Sequence, residues 1–189
     1  MIFSKPISIV KNTFSLWFIY FIILCPISTS AQIIQSYDVV IYGGTSAGVS
    51  AAIQCSRMGK KVILIEPTNR MGGLTTGGLG KTDIGNKQAI GGLAREFYQN
   101  IKRYYLKPEN WIWEKREDYT GVGYNTFNED AMWAFEPSVA LKVFHEMLKN
   151  ESNIHIVYNQ RLNRKTGVKK EKQVIKSIQM ESGQIYQGK

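Results

Sequence analysis

Between Tyr42 and Val49 lie six residues, Gly43-Gly44-Thr45-Ser46-Ala47-Gly48, whose types suit them to receive a pyrophosphate. A doubly charged phosphate pair needs free N–H groups and a partial positive charge, and the start of an α-helix offers both. It also needs a turn without bulk, so that the backbone can come close. In the pattern G-x-G-x-x-G the glycines fall at 43, 45 and 48, and here position 45 is Thr45. The second glycine ordinarily lets the backbone approach the pyrophosphate; Thr45 still offers an N–H and a hydroxyl, and Ser46 adds a donor. Eighteen residues after Gly48 comes Glu66, close to the ~20 at which a carboxylate meets the ribose in such units. Glu66 is expected to accept from both ribose hydroxyls of an adenosine and to disfavour a 2′-phosphate by charge repulsion. A plain tight turn and an exposed strand-end carboxylate are the alternatives, and the ordered succession of turn and acid favours dinucleotide binding.

A second stretch, Arg70–Gly80 (RMGGLTTGGLG), holds five glycines in eleven residues, a density that helix and strand interiors do not tolerate. It is expected to be a loop held close to something. Beyond it, Lys81, Asp83 and Arg95 read as solvated charges, with a position facing a bound cofactor or substrate as the alternative. His145 and His155 read as structural, with no second histidine or carboxylate at metal spacing, so no metal site is expected. Cys55 stands without a C-x-x-C partner, which argues against dithiol chemistry.

The elements that must position these residues follow from periodicity. Tyr37–Tyr42 (YDVVIY) reads as a buried parallel strand stopped by glycine, Ala47–Met58 as a small-residue helix closed by Gly59, and Lys61–Glu66 (KVILIE) as the next strand, ended by Pro67. Gly91–Leu106 carries Leu93, Phe97, Ile101 and Tyr104 at helical spacing. From Lys107 to Met132 no period appears, and Trp111, Trp113, Tyr119, Tyr124 and Phe127 are expected to pin a long loop onto a neighbouring surface. Pro137–Lys149 reads as a helix with proline in its first turn and Val139, Val143, Phe144 and Met147 or Leu148 inward. Ile154–Tyr158 reads as a third core strand. Gln160–Thr166, Gln173–Met180 and Gln184–Lys189 alternate like antiparallel strands, with turns at Thr166-Gly167 and Ser182-Gly183.

Lys5 and Lys11 precede an apolar run from Phe14 to Ile27 and then Ser28-Thr29-Ser30-Ala31, the layout of a secretory signal peptide cleaved after Ala31. The run falls short of the ~20 residues that span a bilayer, so export to a periplasmic or secreted location without stable membrane insertion is expected. Residues 32–36 read as a polar linker, and 37–189 as one domain. Cleavage would lower the net charge from +9 to +7, and the scattered Lys and Arg read as a solvated surface rather than a nucleic-acid patch. The apolar share of 43% suits a globular core.

At residues 37–80 the chain resembles the start of the FAD-dependent oxidoreductases of the glutathione reductase superfamily. The distinguishing piece is Glu66 followed by Arg70-Met71-Gly72-Gly73. Within that superfamily it is most similar to exported flavoproteins grouped with the flavin-bearing part of heterodisulfide reductase A-like proteins, and the likeness covers roughly 37–189. The resemblance implies an α/β fold: a Rossmann-like parallel FAD-binding sheet with an antiparallel β-meander insertion, incomplete at the C-terminus because the family's return strand would lie beyond Lys189. It implies that Gly72, Gly73 and Leu74 run along the pyrophosphate and ribityl chain, that Thr75, Thr76, Gly77 and Gly78 lie near the isoalloxazine, and that the backbone at Arg161-Leu162 meets the adenine. It implies oxidoreductase activity on a small-molecule substrate that the sequence does not name, with no residue marked as catalytic acid or base and no oligomeric state indicated. The chain alone is expected to be an inactive N-terminal portion. Unlike the heterodisulfide reductase relatives, it has no cysteine cluster for iron–sulfur ligation. An NAD-dependent dehydrogenase domain and a truncated, non-catalytic exported chain are the rival readings.

Overall fold

Two strands rich in Val and Ile pair in parallel on either side, in sequence, of the glycine turn and its helix. The computed structural model describes residues 34–119 and 129–189; the signal-peptide segment, Tyr124 and Phe127 lie outside them. Strand β2 (Val39–Tyr42) leads into α1 (Ser46–Arg57) and returns as β3 (Val62–Ile65), making a βαβ unit with Val39 opposite Val62. β4 (Ile154–Val157) adds on the far side of β3, again parallel, with Val62 opposite Ile154. The sheet order is β2-β3-β4. All four residues of β3 are buried, because a central parallel strand is covered on both faces and cannot alternate.

One face carries the helices. α3 (Gly92–Tyr105) and α4 (Pro137–Lys149) join α1 against Val62 and Leu64. Both helices begin within a residue of the expected positions. In α4 the expected inward residues Val139, Val143, Phe144, Met147 and Leu148 are all buried. In α3 the buried face is Phe97, Ile101 and Tyr105, with Tyr104 only packed against its edge, because four-residue steps from Phe97 carry the stripe to Tyr105. Between Gly78 and α4 the chain makes short 3-10 turns at Lys87–Ala89, Pro108–Asn110 and Arg116–Asp118. Trp111 packs between Tyr105 and Tyr119, as a pinning residue should. Trp113, expected to do the same, is instead 85% exposed.

The other face carries a second sheet, whose strands differ from those expected. β5 (Val168–Glu171), β6 (Val174–Gln179) and β7 (Ile185–Gly188) form the antiparallel meander. Gln160–Thr166, expected as a strand, makes only one bridge, Leu162 to Met180. The chain does turn at Thr166-Gly167, where the Gly167 N–H donates to the Asn163 carbonyl at 2.7 Å, but the first hairpin closes at Lys172, which adopts φ 55°. The expected linker is also not one: Ile34–Tyr37 is β1, paired in parallel with β7 so that the order is β1-β7-β6-β5. Residues 34–36 thus belong to the fold, since β7 presents a free row of N–H and C=O groups that they satisfy. Tyr37, Ile63, Ile65, Met180 and Tyr186 make the core between the two sheets. Among the described residues no helix is long and apolar enough to cross a membrane.

Candidate dinucleotide site

The glycine turn sits where β2 ends and α1 begins, and its residues divide the work. A Cβ on Gly48 would stand 2.0 Å from the Gly43 carbonyl oxygen, so only glycine lets α1 approach β2. A Cβ on Gly44 would stand 2.9 Å from Glu66 Oε2. Gly43 needs its own freedom because φ is 105°. Thr45 adopts φ −66° and ψ 172°, open to any residue, and caps α1: the Gly48 N–H donates to its Oγ1 at 3.3 Å. Thr45 in the second glycine position is therefore a helix cap, a role that Thr serves well. The amides of Ser46 and Ala47 lie in the first turn, beyond reach of any carbonyl of the helix itself, and Ala47 is exposed. These are the donors a pyrophosphate would meet.

Glu66, one residue past β3, is 7% exposed. Its Oε2 accepts from the Gly44 N–H at 2.7 Å, and its Oε1 accepts from the Thr68 N–H at 2.8 Å and the Thr68 hydroxyl at 2.7 Å. A carboxylate has about four acceptor positions, so the protein's own groups occupy three. One remains, on Oε2. The carboxylate's charge is also felt at Tyr158, whose hydroxyl pKa is raised by burial and, secondarily, by Glu66.

The second glycine stretch docks onto the first. The Gly72 N–H donates to the Gly44 carbonyl at 2.6 Å, and Ser46 Oγ donates to the Gly72 carbonyl at 3.0 Å and pairs with Thr75 Oγ1 at 2.7 Å. Gly72 has φ 100° and no room for a Cβ beside Thr76. Expected as a loop, the stretch contains a four-residue helix α2 (Leu74–Gly77). Thr76 points inward, 1% exposed, its hydroxyl donating to the Met71 carbonyl, while Arg70 donates to the Thr76 carbonyl. Thr76 and Arg70 thus brace the stretch. Gly73, Leu74, Gly77 and Gly78 face solvent, with Leu74 74% exposed. Leu74 and the glycines form an open shelf that a flat ring system could lie against.

At the ends of β3 and β4 a polar cavity of about 360 Å³ opens between Pro67–Asn69, Asn159, Arg161 and the β6–β7 turn at Glu181-Ser182. Asn159 adopts φ 57° and donates its N–H to the Thr68 carbonyl at 3.0 Å, which turns the chain toward Thr68 as it leaves β4. Thr68, Asn69, Asn159 and Glu181 were not singled out from sequence, Ser182 was marked only as a turn residue, and only the Thr68 hydroxyl two residues after Glu66 could have signalled its part. The Leu162 N–H, expected near the adenine, donates to the Tyr42 hydroxyl at 3.0 Å. The remaining candidates lie apart: Arg95 pairs with Asp130 beside the Trp133 ring, His145 meets the Tyr158 hydroxyl and His155 the Tyr37 hydroxyl.

Turn, carboxylate and cavity therefore follow one another along the C-terminal edge of the parallel sheet, in the strand order β2, β3, β4. Bare glycines, a helix N-terminus and one open carboxylate acceptor fit the adenosine diphosphate half of FAD.

The family model for FAD dependent oxidoreductases matches residues 38–189. Among solved structures the chain is similar to PqsL, a probable FAD-dependent monooxygenase from Pseudomonas aeruginosa, with TM-score 0.51 and 13% identity over 82% of this chain and 41% of that one. It also matches a 3-ketosteroid-Δ4-(5α)-dehydrogenase from Rhodococcus jostii RHA1, with TM-score 0.47 and 19% identity over 85% of this chain and 46% of that one. The chain thus spans less than half the length of either structure. The likeness to PqsL is one of fold. The family match over four fifths of the residues, on an α/β fold with this site at its sheet edge, leads to one identification: the chain belongs to the FAD dependent oxidoreductase family, and its cofactor is FAD.

Proposed function

We propose that this chain holds FAD with its pyrophosphate on the first turn of α1, its adenosine ribose on the open acceptor of Glu66 and its flavin toward the shelf at Gly73–Gly78, in the service of oxidoreductase chemistry on a small molecule. The observation that carries this reading is the alignment of turn, carboxylate and cavity along one sheet edge. FAD supplies hydride or electron transfer when bound. The chain's residues orient it: the Ser46 and Ala47 amides receive negative charge, Glu66 fixes the ribose, and Ser46 with Thr75 clamps the shelf to the turn. Membership of the glutathione reductase superfamily, with a kinship to heterodisulfide reductase A-like flavoproteins, is supported by Glu66 followed by Arg70-Met71-Gly72-Gly73. No residue is assigned as catalytic acid or base. Export is supported by Lys5, Lys11, the apolar run and Ala31, and intact-mass measurement of exported protein should show a chain beginning at Gln32.

Ala47→Asp tests the pyrophosphate assignment without loosening the fold. An acid in the first turn of a helix is mildly stabilising through the dipole, yet it would repel a pyrophosphate held there. FAD affinity, read by fluorescence titration, is expected to fall at least about tenfold while the thermal midpoint holds or rises. Unchanged affinity would move the pyrophosphate elsewhere.

A further inference from the structure

A second cavity, of about 220 Å³, takes no part in the site described above. One of its walls is Ala134–Glu136, and the chain leaving the flavin shelf pairs with that wall. The Phe135 N–H donates to the Gly80 carbonyl at 2.7 Å, Lys81 bridges to Ala134, and a Cβ on Gly80 would stand 2.0 Å from the Phe135 carbonyl oxygen. Ring surface comes from Trp111, Tyr119, Phe135 and Trp113, the last of them 85% exposed. An acid is fixed among these rings: the Tyr105 hydroxyl donates to Glu136 Oε2 at 2.9 Å and accepts from the Glu136 N–H at 3.0 Å. Burial raises the pKa of that hydroxyl, so Tyr105 stays a donor and holds the carboxylate in place. Glu136 Oε1 has no hydrogen-bond partner among the described residues. Glu114 also lines the cavity and no lysine or arginine does, although the chain carries a net charge of +9.

We propose that this cavity binds an organic cation, an ammonium group carried on a flat apolar body, with the charge at the open oxygen of Glu136 and the body against the rings. Aromatic faces attract a cation and cover its apolar frame, while Glu114 adds to the negative field and an anion would meet two like charges with no base to offset them. That this cation is the small molecule acted on rests on the placement of the flavin at Gly73–Gly78 given above; the charge preference of the cavity does not. Trp113, which the core leaves exposed, becomes ligand surface.

The test is calorimetric titration of the full 189-residue chain with phenethylamine, phenethyl alcohol and phenylacetate, which carry a cation, a neutral hydroxyl and an anion on the same ring. The ammonium is expected to bind about tenfold more tightly than the alcohol, as a charge-assisted hydrogen bond with cation–π support allows, and the anion most weakly. In Glu136→Gln, where the amide oxygen still accepts from Tyr105, the preference should shrink, and in the double variant Glu114→Gln/Glu136→Gln it should vanish, with circular dichroism reporting that each variant is folded. Trp113→Ala should weaken the ammonium and the alcohol together, since the phenyl ring loses apolar contact whichever group it carries. Equal affinity for ammonium and alcohol, no binding of any probe by the folded chain, or a preference untouched in the double variant overturns the proposal. FAD titration of the same preparation by flavin fluorescence is read separately: FAD binding without an ammonium preference sinks the cation site alone, and an ammonium preference without FAD binding sinks the cofactor placement alone. With FAD bound, the ammonium should perturb the visible absorbance of the flavin, and an unperturbed spectrum would rule out the cation as the molecule acted on.

Discussion

At the scale of single residues, the glycines of the first turn act through space they leave empty, and the structure separates those that matter from those that do not. Gly48→Ala would drive a methyl into the Gly43 carbonyl, 2.0 Å away, whereas a Cβ on Gly77 meets nothing within 4 Å. Overpacking of this kind costs about 1–3 kcal/mol, so Gly48→Ala should lower the urea midpoint clearly and Gly77→Ala should leave it almost unchanged. An equal response would mean that α1 is not seated on β2 as described. Glu66 shows why a residue's chemistry can be legible while its partners are not. The sequence spacing marks it as the ribose acid, but three of its acceptor positions serve Gly44 and Thr68, and nothing local in sequence tells how many of a carboxylate's lone pairs the fold itself will use.

At the scale of elements, one arginine ties the helical layer together. Arg57, in the last turn of α1, donates to both carboxylate oxygens of Glu96 on α3 at 2.8 and 2.9 Å and to Glu151 beyond α4 at 2.8 Å. The Arg57 guanidinium holds the Glu96 carboxyl below its ordinary pKa, against a smaller opposing effect of burial. A group whose folded pKa is depressed adds stability above its unfolded value of about 4.3 and loses it as pH falls through the lower folded value. Because the side chains are about one-third exposed, the contribution should be under about 1 kcal/mol. Urea unfolding of Glu96→Gln should thus show a small deficit at pH 7 that closes by pH 3. A deficit of the same size at both values would show that the carboxylate's charge is not what Arg57 uses. The helices themselves were legible in the sequence because an apolar stripe at a 3.6-residue period is a local signal; the clasp joining residues 57, 96 and 151 is not local and was not.

At the scale of the whole molecule, stability depends on the two sheets meeting across Tyr37, Ile63, Ile65, Met180 and Tyr186. Tyr186 is 3% exposed, and Tyr186→Ala should cost about 3–4 kcal/mol by the usual scale for emptying an aromatic site. Val174→Ala on the exposed outer hairpin should stay within about 0.5 kcal/mol, and denaturation followed by circular dichroism would compare them. A mild effect at Tyr186 would mean that the meander is a detachable flap rather than part of the core.

The sequence by itself determined the βαβ unit, the glycine turn and the acid after β3, because each depends on residues close together in the chain and on a period or a spacing. It also separated the two amphipathic helices from the loops around them. Only the tertiary structure decided that residues 34–36 are a strand, since a short polar segment becomes β1 only when β7, some 150 residues later, offers a row of unpaired backbone groups. The same holds for the cavity at Arg161 and Glu181, whose walls come from three separate segments, and for Thr76, which buries its hydroxyl against Met71 instead of facing outward. Backbone hydrogen bonds are indifferent to sequence distance, so pairings of this kind leave no periodic trace from which they could be read.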